Sequence, residues 1–299
     1  MKRVLTAVVL IPVVLLLVFR APLWLFALAV AGIVVLALHE YLNIAELAGA
    51  KPFHRLSYAA ALVLVYLIWD AFASRPRQLH SPSSAGWLMS LFLATVVFGI
   101  PLVFRKDLAS GLASSASSLF GILYTAGSLG LLIALRAAPF QETMVIFVLF
   151  SVWAGDIAAY YVGRSFGRHK LAPVVSPNKS WEGAAASVVA SVVIGLLVFH
   201  FHQQIEELFG HRRTFYTHLT ETSIPVAHII ALGVLTNVAA QFGDLFESAL
   251  KRGVQIKDSG SLLPGHGGML DRIDALLFAI PVVWYYANLT GFLQPKFLF

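Results

Sequence analysis

From Gln241 to Asp274 the sequence reads QFGDLFESALKRGVQIKDSGSLLPGHGGMLDRID, which brings carboxylates, bases and glycines together. Asp244, Glu247, Ser248 and Lys251 recur at i, i+3, i+4 and i+7, so a helix presents them on one face. Of the chain's 36 Lys, Arg, Asp and Glu residues, nine lie between Asp244 and Asp274. Four bases, Lys251, Arg252, Lys257 and Arg272, stand against five acids, Asp244, Glu247, Asp258, Asp271 and Asp274. A patch built for a bare anion or an acidic lipid surface would be clearly positive. Near balance fits carboxylates that hold a hard divalent ion while the bases take phosphate oxygens, and oxygen donors without thiols favour Mg²⁺ over zinc. Pro264, Gly265, His266, Gly267 and Gly268 lead directly into Asp271 and Asp274 at the head of the last apolar run. Glycine N–H groups before a helix N-terminus form an anion cradle. Aspartates at i and i+3 suit a cation instead, and both needs are met by a metal-bound phosphate. His266 stands where it can contact phosphate or act as an acid, a structural hydrogen bond being the alternative.

A second polar stretch, Asp156 to Gly183, reads DIAAYYVGRSFGRHKLAPVVSPNKSWEG. Arg164, Arg168, Lys170 and Lys179 against Glu182 leave it about +3, a balance suited to gripping a polyphosphate. Ser176 or Ser180 can cap the following helix, with Glu182 in its first turn. Asp156 falls about two turns inside an apolar run, where a carboxylate needs a function or a partner such as Arg164.

The elements that carry these residues follow from composition. The 299 residues are 59% hydrophobic and 12% charged, with mean hydropathy +0.81, whereas a soluble domain has about 25% charged residues. This is the composition of an all-α polytopic integral membrane protein. Apolar runs near 4–19, 22–38, 56–73, 86–104, 119–135, 143–162, 183–201, 225–250 and 275–293 predict about nine transmembrane helices. The first run, after Lys2 and Arg3, is read as a retained span and not a cleaved leader. With the N-terminus in the cytoplasm and the C-terminus outside, 14 of the 21 Lys and Arg fall on the inner side. That arrangement puts loops 163–182 and 251–274 on the same cytoplasmic face. The net charge of +6 then reflects cytoplasmic loops and not nucleic acid binding. Zero cysteines exclude disulfides, thiolate metal sites and cysteine nucleophiles. The chain divides into a scaffold over 1–140, almost bare of ionisable groups within its spans, and a catalytic region over 141–299. Ser-rich connections such as 109–118 read as surface turns.

The run from Ser248 through Lys251, Arg252, Lys257, Asp258, Gly260, Leu263, Pro264, His266, Gly267, Gly268, Asp271 and Arg272 to Asp274 resembles the signature of the phosphatidate cytidylyltransferases, the CDP-diacylglycerol synthases. The elements D-x-x-A-Y-x-x-G-x-x-F-G and S-P-x-K-S-x-E-G are also similar to that family, which often has Thr where Ser180 stands. The resemblance is specific over Asp156 to Asp274; in the first half it rests on hydropathy alone. It implies CTP plus phosphatidic acid giving CDP-diacylglycerol and pyrophosphate, in an Mg²⁺-dependent homodimeric membrane enzyme; in a bacterium this would be the inner membrane, with the site facing the cytoplasm. Asp244 and Asp271 match the pair that holds the metal centre, which in the family admits K⁺ beside Mg²⁺. Glu247 and Asp274 are further candidate ligands. Lys251, Arg252, Lys257, Asp258, His266 and Arg272 are expected at the reacting phosphates. Asp156, Arg164, Ser176, Lys179, Ser180, Glu182, Ser248, Gly267 and Gly268 are expected to bind substrate.

Other classes remain. CDP-alcohol phosphotransferases carry an Asp-Gly pair that this chain lacks. A CTP-dependent lipid or polyprenol kinase would release CDP instead of pyrophosphate. An ion-coupled transporter would use intramembrane carboxylates, although here the charges gather at one face.

Overall fold

A computed structural model describes residues 12–73, 94–101, 110–137, 141–208, 225–262 and 267–290. A helix over 12–20 (α1) leads through Pro22 into α2 (Leu23–Leu47) and then α3 (His54–Ala73). A short helix over 94–101 (α4) precedes α5 (Gly111–Ile122), a wider π turn (Leu123–Gly127) and α6 (Ser128–Ala137), which run on as one rod. Then come α7 (Gln141–Phe166), strands β1 (Lys170–Ala172) and β2 (Ser176–Ser180), α8 (Trp181–His200), α9 (His202–Leu208), α10 (Val226–Gly253) and α11 (Leu270–Leu289).

Among the described residues, six helices are long and apolar enough to cross a membrane: α2, α3, the rod over Gly111–Ala137, α7 over Thr143–Phe166, α8 and α10. The 20 residues of α11 form another long helix, which opens on Asp271, Arg272 and Asp274. The runs expected at 4–19 and 86–104 lie partly outside the described residues. Helix ends follow local rules. α2 stops at Gly49, whose φ of 92° lets its N–H return to the Glu46 carbonyl. Ser180 caps α8 by accepting the Gly183 N–H at 3.2 Å.

The 163–182 connection is more ordered than a loop. α7 runs on to Phe166, and β1 pairs antiparallel with β2 in an exposed hairpin whose turn carries Val174, 91% exposed. Residues 111–118, expected in a surface turn, are the start of the rod, with Ser114, Ser115 and Ser118 buried. Their hydroxyls do specific work. Ser114 and Ser118 accept the N–H groups of Lys51 and Phe53, and Ser115 donates to the Phe98 carbonyl. Composition suggested a turn because serine disfavours an isolated helix; a buried serine bonded to neighbouring backbone reverses that preference.

α7, α8, α10 and α11 pack as the second half of the bundle, with α2, α3 and the rod beside them. Buried Asn237 on α10 donates to Ser187 and Ser191 of α8, both at 2.8 Å, and Ser191 donates to the Ser151 carbonyl of α7. Gln241, one turn along α10, donates to Asn237 and to the Ala184 carbonyl. In lipid, where apolar contact gives little preference for one helix pairing, such bonds fix the register of three helices.

Candidate active site

The register fixed by Asn237 and Gln241 brings Asp244 of α10 to the mouth of the bundle. α10 and α11 touch there so closely that a side chain at Gly243 would run into the backbone of Asp274 and Ala275. This approach sets Asp244 beside Asp274 and, with α7, beside Asp156. All three carboxylates lie within electrostatic reach of one another.

Two lysines divide the acids between them. Lys179 on β2 reaches across to Asp244, Nζ to Oδ2 2.5 Å. Lys251 on α10, two helical turns beyond Asp244, lies 2.6 Å from Glu247 and 2.5 Å from Asp271. Glu247 is fully buried and meets Lys251 as an ion pair. Asp271 also accepts the N–H groups of Ser259 at 3.0 Å and Gly268 at 2.8 Å. Five carboxylates thus face two ammonium groups. The donor set, all oxygen and negatively charged in excess, has the chemistry of a hard divalent cation site. Among the described residues, no three His, Asp or Glu side chains close on one point that holds a metal ion.

Aromatic rings wall the site. The π turn delivers Tyr124 to Phe246 and Phe278 at ring distances of 5.4 and 6.2 Å, with Phe120 and Tyr41 behind it. The carboxylates of Asp274 and Glu247 act electrostatically on the Tyr124 hydroxyl, which is buried.

Other residues singled out by sequence take peripheral places. Ser248 lies 3.4 Å from Asp244, at the limit of a hydrogen bond. Ser176 begins β2, paired with Ala172. Glu182 holds His169, with Nδ1 2.6 Å from its carboxylate, and so ties the hairpin to α8. Arg164 is exposed and donates to Tyr160, so Asp156 faces Lys179 and Asp244 instead of Arg164. Arg252 donates to the Ile256 carbonyl in the turn after α10. Lys257, Asp258 and Arg272 are exposed around the mouth. Gly267 takes φ 79°, and the N–H of Gly268 serves Asp271. His266 lies outside the described residues.

A model of the cytidylyltransferase family matches residues 1–290. The chain belongs to the cytidylyltransferase family. It is 33% identical over 298 residues to the phosphatidate cytidylyltransferase of Haemophilus influenzae, covering 95% of this chain and 97% of that one. It is 35% identical over 285 residues to that of Pseudomonas aeruginosa, with 94% of each covered. The Thermotoga maritima protein of the same name is 33% identical over 228 residues, 76% of each. As a cytidylyltransferase-family member the chain is a nucleotidyltransferase with apolar helices long enough to span a membrane.

Sequence reasoning missed Glu40. This buried glutamate of α2 accepts hydrogen bonds from the segment that holds Asp271. Glu40 lies just past the apolar run at 22–38, beside His39, where a carboxylate reads as interfacial; only the extension of α2 to Leu47 puts it inside a helix of the bundle. Tyr124 was missed as well, and its sequence context carries no signal, because the π turn decides where it points.

Proposed function

We propose that this chain is a phosphatidate cytidylyltransferase, which joins CTP to phosphatidic acid and releases pyrophosphate to give CDP-diacylglycerol. The observation that carries this reading is the Lys179–Asp244 ion pair, which closes the basic hairpin onto the acidic mouth of α10 and α11 in a member of this family. A nucleotidyl transfer between two phosphates needs both signs of charge at one place.

An ionised oxygen of the lipid phosphate attacks the α-phosphorus of CTP, and the bond from that phosphorus to the bridging oxygen of the β-phosphate breaks in line. The electron pair leaves with pyrophosphate. Because a phosphate monoester is already an adequate nucleophile, no strong general base is required, and positioning and charge supply the catalysis. Lys179 and Lys251 turn from their carboxylates to phosphate oxygens. Asp244 and Asp271, with Glu247 and Asp274 near them, would hold Mg²⁺, together with K⁺, and the metal would supply charge neutralisation at the phosphates. Asp156 and Arg164 line the approach from α7, while Arg252, Lys257, Asp258 and Arg272 border the reacting phosphates from the other side, and His266, outside the described residues, is assigned to the same phosphates on sequence alone. Ser176, Ser180, Glu182 and Ser248 hold the hairpin and helix that present Lys179 and Asp244, and Gly267 and Gly268 shape the turn before α11.

We further infer nine spans with the N-terminus and the site in the cytoplasm, a scaffold over 1–140 and a catalytic region over 141–299. The same reading makes the chain a homodimer in the inner membrane of a bacterium. The test is purified full-length protein with radiolabelled CTP, phosphatidic acid and Mg²⁺, measuring CDP-lipid and pyrophosphate together. Equal amounts of both are expected. Release of CDP with a phosphorylated lipid would make the chain a kinase, and no product under any metal condition would overturn the reading.

A further inference from the structure

Glu40 follows His39 in the sequence LALHEYL on α2, 5% exposed among buried Ala37, Leu38, Tyr41 and Leu42. A carboxylate at such a position needs strong compensation. Among the described residues it is met by hydrogen-bond donors and not by a base: Glu40 accepts from Ser259 Oγ at 2.8 Å, Met269 N–H at 2.9 Å and Leu270 N–H at 2.8 Å. The last two are orphan donors at the start of α11, where the helix dipole also favours negative charge. The anion at this helix N-terminus is therefore supplied by the chain itself.

The segment is shaped around that carboxylate. A side chain at either Gly260 or Gly268 would overlap the Glu40 carboxylate, so the backbone passes directly against it on both sides. Ser259 is shared: its hydroxyl donates to Glu40 and its N–H to Asp271. Asp271 also takes the N–H of Gly268, next to the two amides that Glu40 takes. Two carboxylates, one from α2 and one from α11, thus grip the same two pieces of backbone.

We propose that Glu40 is a positioning residue for the cytidylyl transfer: it clamps residues 259–260 and 268–270 so that the Asp271 carboxylate faces Lys251 and the reacting phosphates. The inference rests on the assignment of Asp271 to the catalytic centre. A merely structural glutamate would alter how much protein folds. A positioning glutamate alters how the folded protein handles its metal and turns over.

The test uses full-length Glu40→Gln, which keeps the side-chain size but places an amide N–H₂ against N–H donors. In protein assayed well below its unfolding temperature, kcat should fall and the Mg²⁺ concentration for half-maximal rate should rise, each by about tenfold or more, as when an outer partner of a metal ligand is lost. Ser259→Ala removes one of the three bonds and should move both quantities in the same direction by less. Leu42→Ala, a cavity in the same helix, should lower thermal stability and leave the Mg²⁺ requirement unchanged. If Glu40→Gln does not fold, Ser259→Ala decides the matter. Wild-type kcat and Mg²⁺ requirement in the folded variants, beside an inactive Asp271→Asn, would overturn the positioning role alone. An active Asp271→Asn would overturn the centre and the positioning with it.

Discussion

Lys179 Nζ lies 2.5 Å from Asp244 Oδ2, joining strand β2 to helix α10 across the mouth of the bundle. Both side chains are partly exposed, at 26% and 34%. Taken as a structural salt bridge in contact with water, the pair contributes only about 0–1 kcal/mol. Its importance lies in placement, because it makes the basic hairpin and the acidic helix two sides of a single site.

Removing either member should therefore harm turnover far more than stability. Lys179→Ala and Asp244→Asn are each expected to lower kcat by about 10²-fold or more, the scale for losing a group aimed at developing charge. Their double variant should be little worse than the worse single one, since residues that act as a unit are not additive. Initial rates of CDP-lipid formation measure this, with melting temperature in detergent as the control. Additive losses would mean that the two act separately.

Asp271 accepts three hydrogen bonds, from Lys251, Ser259 and Gly268. Asp271→Asn should abolish CDP-lipid formation while the protein still inserts and purifies. Chelation of divalent ions should silence the wild-type enzyme reversibly, with Mg²⁺ restoring the rate. Full activity in a chelator would remove the metal from the mechanism.

Glu247 is 1% exposed at its side chain, and Lys251 beside it 11%. Lys251 keeps Asp271 as its partner when Glu247 is truncated, so the cost of Glu247→Ala comes from the lost contact and the cavity, about 2 kcal/mol of stability. The combined Glu247→Leu and Lys251→Met replacement takes the ammonium away from the Asp271 carboxylate, so it should unfold no later on heating than Glu247→Ala and be inactive. Thermal unfolding together with the radiolabel assay separates the two effects.

The absence of cysteine makes membrane orientation directly measurable. Val174 stands at the exposed tip of the hairpin, so Val174→Cys introduces a unique thiol there. In sealed right-side-out vesicles it should resist a membrane-impermeant maleimide and react fully once the vesicles are opened. Labelling in intact vesicles would put the hairpin, and the site with it, on the outer face.

The sequence by itself determined that this chain lives in a membrane and where its chemistry gathers. Scarcity of charge excluded a soluble domain, and with so few ionised residues their clustering from Asp244 to Asp274 was visible without coordinates. Helical spacing put Asp244, Glu247 and Lys251 on one face, and glycines before Asp271 announced a tight turn into a helix. These features are local, set by hydropathy and the period of the α-helix, and local rules are legible in one dimension.

Tertiary structure decided which charges meet. That Lys179 answers Asp244, and that Asp156 faces that pair and not Arg164, depends on the angle at which α7, α8 and α10 pack around Asn237 and Gln241. That the anion at the start of α11 is Glu40 depends on a contact between residues 230 positions apart in the chain. No periodicity encodes such a pairing. A buried carboxylate requires some set of donors, and only the folded chain determines which backbone supplies them.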